Sequence, residues 1–272
     1  MAHAVIHRIV EGEVLAMAVS RRSALRSIGL GAFSCACCGS AFASTKEEKV
    51  PPWAYTGQNG PEAWGDLQPK FQACCTGMEQ SPINLTGPIR TEFSPPQIYW
   101  KDTNGDVVNN GHTIVVNVPS GSALTVDGRV YELLQFHFHH PSEHLLDGRA
   151  EEMEVHFVHK SAEGDLAVVG VFIREGRENT ALKPIWDVMP QSEEADKGVA
   201  RISPAALLPI ERTMFRYAGS LTTPPCTEIV SWIAYRTPIE ASVAQIAAFT
   251  KLFPVSSRPV QPLNRRFLLM GG

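Results

Sequence analysis

Two segments of this chain alternate residue by residue, and that alternation constrains the fold more than any other feature of the sequence. In Gln135-Phe136-His137-Phe138-His139 polar and aromatic residues take turns, and in Glu154-Val155-His156-Phe157-Val158 two polar residues are interleaved with Val155 and Phe157. Successive side chains of a β-strand point to opposite faces, so Gln135, His137 and His139 share one face and Phe136 and Phe138 the other. Glu154, His156 and Val158 share a face in the same way. Further short apolar runs, Ile114 to Val116, Ala123 to Val126, Tyr131 to Phe138 and Leu166 to Ile173, are punctuated by turn signals such as Asn104-Gly105 and Asp127-Gly128. They predict the strands of an antiparallel-rich sheet. The 21 glycines and 20 prolines, spread without a period, suit a turn-rich β protein better than a helical bundle or a collagen.

Helices are few. Ser242 with Gln245 makes a capping-box pattern, and Val243, Ile246, Ala247 and Phe253 give a helical stripe that Pro254 ends. A second short helix is expected from Ala181 to Val188. The aromatic stretch Trp53 to Trp64, broken by Gly57, Asn59-Gly60 and Pro61, reads as an irregular segment laid over the core.

The first 43 residues stand apart from this pattern. Ser20-Arg21-Arg22, then Leu25-Arg26 and an apolar stretch from Ile28 to Phe42, are built like an export signal, and the stretch is too short to span a bilayer. The paired arginines resemble a twin-arginine signal. Ala41-Phe42-Ala43 offers a cleavage site before Ser44, and Met17 is a second candidate start. Residues 44–52, polar and ending in Pro51-Pro52, read as a linker, which leaves one domain over residues 53–272. The formal charge of −4 becomes −6 on cleavage, because four Arg and two Glu are removed. Such a chain lacks the basic surface that a nucleic-acid binder needs. Cleavage also removes Cys35, Cys37 and Cys38, leaving Cys74, Cys75 and Cys226 in an oxidising compartment, enough for one bridge and one spare thiol.

Seven of the nine histidines lie between positions 112 and 159. If the two alternating segments pair as a hairpin, His156 joins His137 and His139 in a three-histidine site, the ligand count of a catalytic zinc that keeps one position open. Gln135 and Glu154, two residues from a ligand on the same faces, are placed to accept hydrogen bonds from the imidazoles and orient them. A competing pattern, His140-Pro141-Ser142-Glu143-His144, has the H-x-x-E-H spacing of inverted zinc peptidases. It needs a helix, which Pro141 and the flanking strand pattern oppose. His144 and His159 read as structural hydrogen-bonding residues.

These residues resemble the α-class carbonic anhydrases, and the resemblance runs from about Trp53 to Arg266. It is carried by Gly60-Pro61 with Trp64-Gly65, Gln80-Ser81-Pro82-Ile83-Asn84, Asn109-Asn110-Gly111-His112, the histidine strands, Gly219-Ser220-Leu221-Thr222-Thr223-Pro224-Pro225 and Gln261-Pro262-Leu263. The resemblance implies a mainly β, single-domain fold: a large twisted, mostly antiparallel central sheet with a few short peripheral helices. It also implies that His137, His139 and His156 bind Zn2+, whose charge acidifies water for attack on carbon dioxide; carbonic anhydrase is the type case of that effect. Thr222 would orient the nucleophile while donating its own proton to Glu143. Val158, Val168, Leu221, Val230 and Trp232 match the apolar substrate pocket, and Thr223 and Tyr55 the polar side of the cavity. His112 matches the proton-shuttle histidine, while Val115 departs from the polar residue that many relatives carry beside the water chain.

Secreted relatives carry half of a disulfide at the position of Cys226. Its partner falls on Cys74 by the bacterial spacing and on Cys75 by that of many animal relatives. The implied protein is an extracytoplasmic carbonate dehydratase, periplasmic, secreted or in a thylakoid lumen. Its substrate is a small molecule, carbon dioxide or bicarbonate; no nucleic acid and no membrane span after signal cleavage enter this reading, which leaves the oligomeric state open. The alternative is a catalytically silent binding protein of the same family.

Overall fold

The computed structural model describes residues 53–272. The export signal, its cleavage site, the linker and the three cysteines upstream lie outside the described residues.

The first strands are β1 (Asn84–Leu85), β2 (Ile89–Arg90), β3 (Gln97–Tyr99), β4 (Thr103–Asn109), β5 (Ile114–Asn117), β6 (Ala123–Val126) and β7 (Arg129–His139). The chain continues with β8 (Leu145–Leu146), β9 (Met153–Ser161), β10 (Leu166–Glu175), β11 (Gly198–Ile202), β12 (Met214–Gly219), β13 (Val230–Ala241) and β14 (Leu269–Gly271). The main sheet runs in the order β11, β4, β5, β7, β9, β10, β13, β12, β14, β2, with β6 and then β3 branching from β7. Its pairs are antiparallel except β10 with β13 and β14 with β2. The expected large, mostly antiparallel sheet is therefore the observed one. A separate small parallel pair joins β1 to β8.

Alternation along the central strands sends aromatic and histidine side chains to opposite faces. Phe136, Phe138, Val155, Phe157, Val169 and Val171 are fully buried in the largest apolar cluster, together with Ile246 and Phe249. Each such side chain contributes about 1.5–3 kcal/mol on leaving water. The other face buries Val168, Phe172, Tyr217, Val230 and Trp232 against Ile83 and Leu85. A third cluster holds Trp64, Phe71 and the Cys74 and Cys226 side chains, covered by Trp53 and Tyr55. The Trp53 to Trp64 segment is thus laid over the core as expected.

The helices are α1 (Trp64–Leu67), α2 (Ala73–Thr76), α3 (Lys183–Trp186) and α4 (Val243–Thr250). The capping box at α4 is formed: Gln245 N donates to Ser242 Oγ (3.3 Å) and Ser242 N donates to Gln245 Oε1 (3.1 Å). Its buried stripe is Ile246 and Phe249 rather than the expected one, because Val243 faces solvent and Phe253 is buried beyond the helix end. The second expected helix shrinks to the single turn of α3.

Asn104-Gly105 is not a turn but lies inside β4, paired with Arg201 and Ala200 of β11. Glycine is required there by close packing, since a Cβ would sit 2.8 Å from Val116 Cγ1 and 2.9 Å from Ile202 Cδ1. Among the described residues no helix is long and apolar enough to cross a membrane.

Candidate metal centre

The two alternating segments pair as β7 and β9, with His137 directly opposite His156. Antiparallel register, together with the shared parity of His137 and His139, brings three imidazoles together. A ring nitrogen of each lies within 4.8 Å of one from each of the others. His139 and His156 are buried and His137 is partly exposed. Gly170 of β10 faces His156 across the next pair, and a Cβ there would meet Glu154 Oε1 at 2.9 Å. The missing side chain leaves room for that carboxylate.

Each imidazole is oriented by an acceptor at one nitrogen. Gln135 Oε1 lies 2.9 Å from His137 Nδ1, and the Ser256 carbonyl lies 2.6 Å from His139 Nδ1. Glu154 Oε1 lies 2.9 Å from His156 Nε2 as an ion-pair contact off hydrogen-bond alignment. Burial, with His139 and His156 adding their own repulsion, holds His137 well below the usual imidazole range, and burial also lowers His139. Both are thereby kept neutral, the form that binds a metal. At His156 burial is outweighed by the Glu154 carboxylate, which raises its basicity.

The donor set fits a metal ion on an observation of its own. His139 Nε2 and Glu143 Oε2 are buried with no hydrogen-bond partner and lie 3.6 Å apart, with His156 Nδ1 3.8 Å from the same oxygen. Unpaired buried polar atoms are costly, and their convergence marks a place for a charged or polar guest.

Glu143 and His144 are on an irregular segment, which removes the helix that the H-x-x-E-H reading requires. The backbone amides of both residues donate to Glu154 Oε2 (2.9 Å each). His140 is directed elsewhere, its Nδ1 lying 2.7 Å from the Glu152 carbonyl. His144 is structural, as expected: Nδ1 donates to Glu154 Oε1 (2.8 Å) and Nε2 lies 2.6 Å from the Tyr217 hydroxyl. His159 is structural as well.

Glu143 Oε1 accepts the Arg258 backbone amide (2.8 Å), and Thr222 is buried. The bond from Thr222 to Glu143 implied by the resemblance is not formed, since Oε2 has no partner. Val168, Val230 and Trp232 lie in one apolar cluster with Val158 and Leu221 packed against it, so the five expected wall residues are brought together. Thr223 is half-buried, and its carbonyl accepts the Cys226 amide (2.9 Å). Burial and the Glu143 charge push the Tyr55 hydroxyl well above its usual range. Val115 pairs with His137 across β5 and β7. His112 stacks on Trp53, with ring centroids 3.7 Å apart. Cys74 is bridged to Cys226, and Cys75 is a free, exposed thiol.

Several supporting residues escaped sequence reasoning. The guanidinium of Arg258 is buried, donating to Gln80 Oε1 and to the Ser81 and Cys74 carbonyls (2.8 Å each). Tyr217 continues the Glu154–His144 chain to Ser81 Oγ (2.9 Å). The Ser256 contact uses a main-chain carbonyl, which any residue supplies, so no sequence signal could have identified it.

Comparison with known proteins agrees with this geometry. The sequence model of the eukaryotic-type carbonic anhydrase family matches residues 59–270. A carbonic anhydrase of Nostoc sp. is 43% identical over 256 residues, covering 92% of this chain and 97% of its own. The α-carbonic anhydrase of Thermovibrio ammonificans, solved with sulfanilamide, superposes with a TM-score of 0.78 at 43% identity, over 80% of this chain and 98% of that one. Dioscorin, solved with ascorbate, reaches a TM-score of 0.76 at 30% identity, over 81% of this chain and 98% of that one. A match that spans the whole sheet and the histidine strands leaves one assignment: this chain belongs to the eukaryotic-type carbonic anhydrase family.

Proposed function

We propose that this chain is a zinc-dependent carbonate dehydratase that interconverts carbon dioxide with bicarbonate and a proton. The observation that carries the reading is the convergence of His137, His139 and His156, each with its second nitrogen against an acceptor. A zinc ion held by these three residues would supply Lewis acidity, making water nucleophilic at neutral pH, as carbonic anhydrases exemplify.

The chain's own residues then orient and exclude. Gln135, the Ser256 carbonyl and Glu154 fix the ring orientations. Glu143, anchored through Oε1 by Arg258, keeps Oε2 as the buried acceptor available to the Thr222 hydroxyl. A hydroxyl committed to that carboxylate has its lone pairs turned to the reacting water, which aligns the nucleophile. Val158, Val168, Leu221, Val230 and Trp232 give a neutral, weakly polar substrate an apolar wall, while Thr223 and Tyr55 order water on the polar side. His112 takes up the proton released in each turn and passes it to buffer, a task suited to an imidazole.

The same reading assigns residues 1–43 to a twin-arginine-like export signal, 44–52 to a linker and 53–272 to the catalytic domain. The address is extracytoplasmic: periplasm, extracellular space or thylakoid lumen. The Cys74–Cys226 bridge supports it, because such bonds persist in oxidising compartments.

Hydration of carbon dioxide by wild type and Thr222→Ala at matched zinc content tests the function. The wild type should be active and the variant slower by roughly 100-fold, since orientation is lost and coordination is not. A zinc-loaded wild type without hydration activity would instead identify a silent binding protein, and equal rates would remove Thr222 from the mechanism.

A further inference from the structure

The loop at residues 190–197 brings an acidic side chain to the residue before His112, and neither the metal centre nor the apolar wall accounts for it. Asn109 Nδ2 donates to the Pro190 carbonyl (3.2 Å), tying this loop to the Asn109-Asn110-Gly111-His112 turn. The turn is itself braced: Asn109 Oδ1 accepts the Gly111 amide (2.9 Å), and Asn110 Oδ1 accepts those of His112 (3.0 Å) and Thr113 (2.9 Å). Gly111 adopts φ +81°, and a Cβ there would lie 2.8 Å from Glu193 Oε2. Glycine thus serves twice, reaching a left-handed backbone and leaving the space that the carboxylate occupies. The His112 ring lies flat on Trp53, 11° from parallel, with Tyr55 edge-on at 6.4 Å.

We propose that Glu193 is a positioning residue for His112: its carboxylate at Gly111 and the Trp53 ring together hold the imidazole and favour it while it carries a proton in transit. The proposal rests on the reading of His112 as the proton relay. In the step concerned a water in the cavity gives up a proton, breaking an O–H bond as an imidazole N–H bond forms; the ring becomes an imidazolium, and a buffer base then removes a ring proton and restores the neutral imidazole. Both neighbours favour the charged intermediate, Trp53 through its π face and Glu193 through opposite charge.

Burial holds the basicity of His112 below that of an ordinary imidazole, and the Glu193 charge offsets part of that loss. Of the other groups on the elements packed here, Tyr55 stays protonated on the N-terminal segment, and Glu194, Asp196 and Lys197 share the loop with Glu193. Lys197 is paired with Asp106.

The test is an NMR titration of the His112 ring in zinc-loaded wild type, Glu193→Gln and Glu194→Gln. It is run at about 0.01 M and about 1 M salt, where Debye lengths are roughly 30 Å and 3 Å. At low salt Glu193→Gln should move the midpoint to lower pH and Glu194→Gln should move it less, and high salt should erase both differences. An unmoved midpoint, equal shifts in the two variants, or a shift that survives high salt would overturn the assignment.

In hydration assays Glu193→Gln should lose about half the turnover in dilute buffer, recover it with added imidazole and keep kcat/KM. Loss of kcat/KM would mean a structural defect and overturn the proposal. Turnover of His112→Ala is the separate arm, because a curve against buffer concentration identical to wild type would overturn the relay reading itself, whatever the titration shows.

Discussion

His156 and His159 stand three positions apart on β9 and face opposite sides of the sheet. His156 joins the imidazole cluster, whereas His159 is fully buried among apolar residues, accepting a hydrogen bond from Trp100 Nε1 (3.1 Å) and donating from Nδ1 to the Ala167 carbonyl (3.2 Å). Burial lowers its pKa to about 4, from an ordinary value of 6.5. A folded-state value below the unfolded one means that stability is fully present above the unfolded value and is lost as pH falls towards 4. The loss is on the order of 3 kcal/mol. Urea midpoints followed through that window should fall in wild type and fall less in His159→Gln, which cannot titrate; equal acid sensitivity would contradict the account. Parity along the strand makes the two opposite faces legible, because the face of a strand residue follows from counting by two. Arg258 was not legible, since its partners come from residues 74–81, which only the folded chain brings near.

At the scale of elements, the segment carrying Thr222 and Thr223 is held to the N-terminal part of the domain by one covalent bond. Cys226 is bridged to Cys74 on α2 across a sequence separation of 152 residues, and Gln80 Nε2 donates to the Cys226 carbonyl (3.0 Å). Closing so long a loop constrains the unfolded chain, and removing native bonds of this kind typically costs about 2–5 kcal/mol. Replacing both Cys74 and Cys226 with Ala should lower unfolding stability by that amount, while Cys75→Ser should leave it within about 0.5 kcal/mol. A Cys75→Ser variant as unstable as the double variant would contradict the pairing. The family resemblance limited the partner of Cys226 to one of two neighbours, and the fold distinguished them: Cys74 faces the cluster around Trp64, and Cys75 faces solvent. Where sequence reasoning misplaced an element, tertiary contact had overridden a local signal. Asn104-Gly105 has turn chemistry, yet it is paired with β11, and Val116 of β5 packs against Gly105.

For the whole molecule, the sheet does two jobs with one alternation. One face of β7 and β9 forms the main core, and the other carries His137, His139 and His156 with Gln135 and Glu154. A single-residue slip in their register would exchange the faces and abolish both at once. The antiparallel character, the histidine pairing and the site's first supports were therefore visible in the sequence. The long crossover that sets β10 beside β13 in parallel was not, because sequence separation carries no signal of direction. The central claim is that this sheet face holds one zinc and uses it to hydrate carbon dioxide. It is tested most directly by removing metal from the purified protein and following hydration as zinc is added back. Activity should be absent at the start and rise linearly to a plateau at one zinc per chain. Full activity in protein verified to be metal-free, or none after one zinc has bound, would contradict the account.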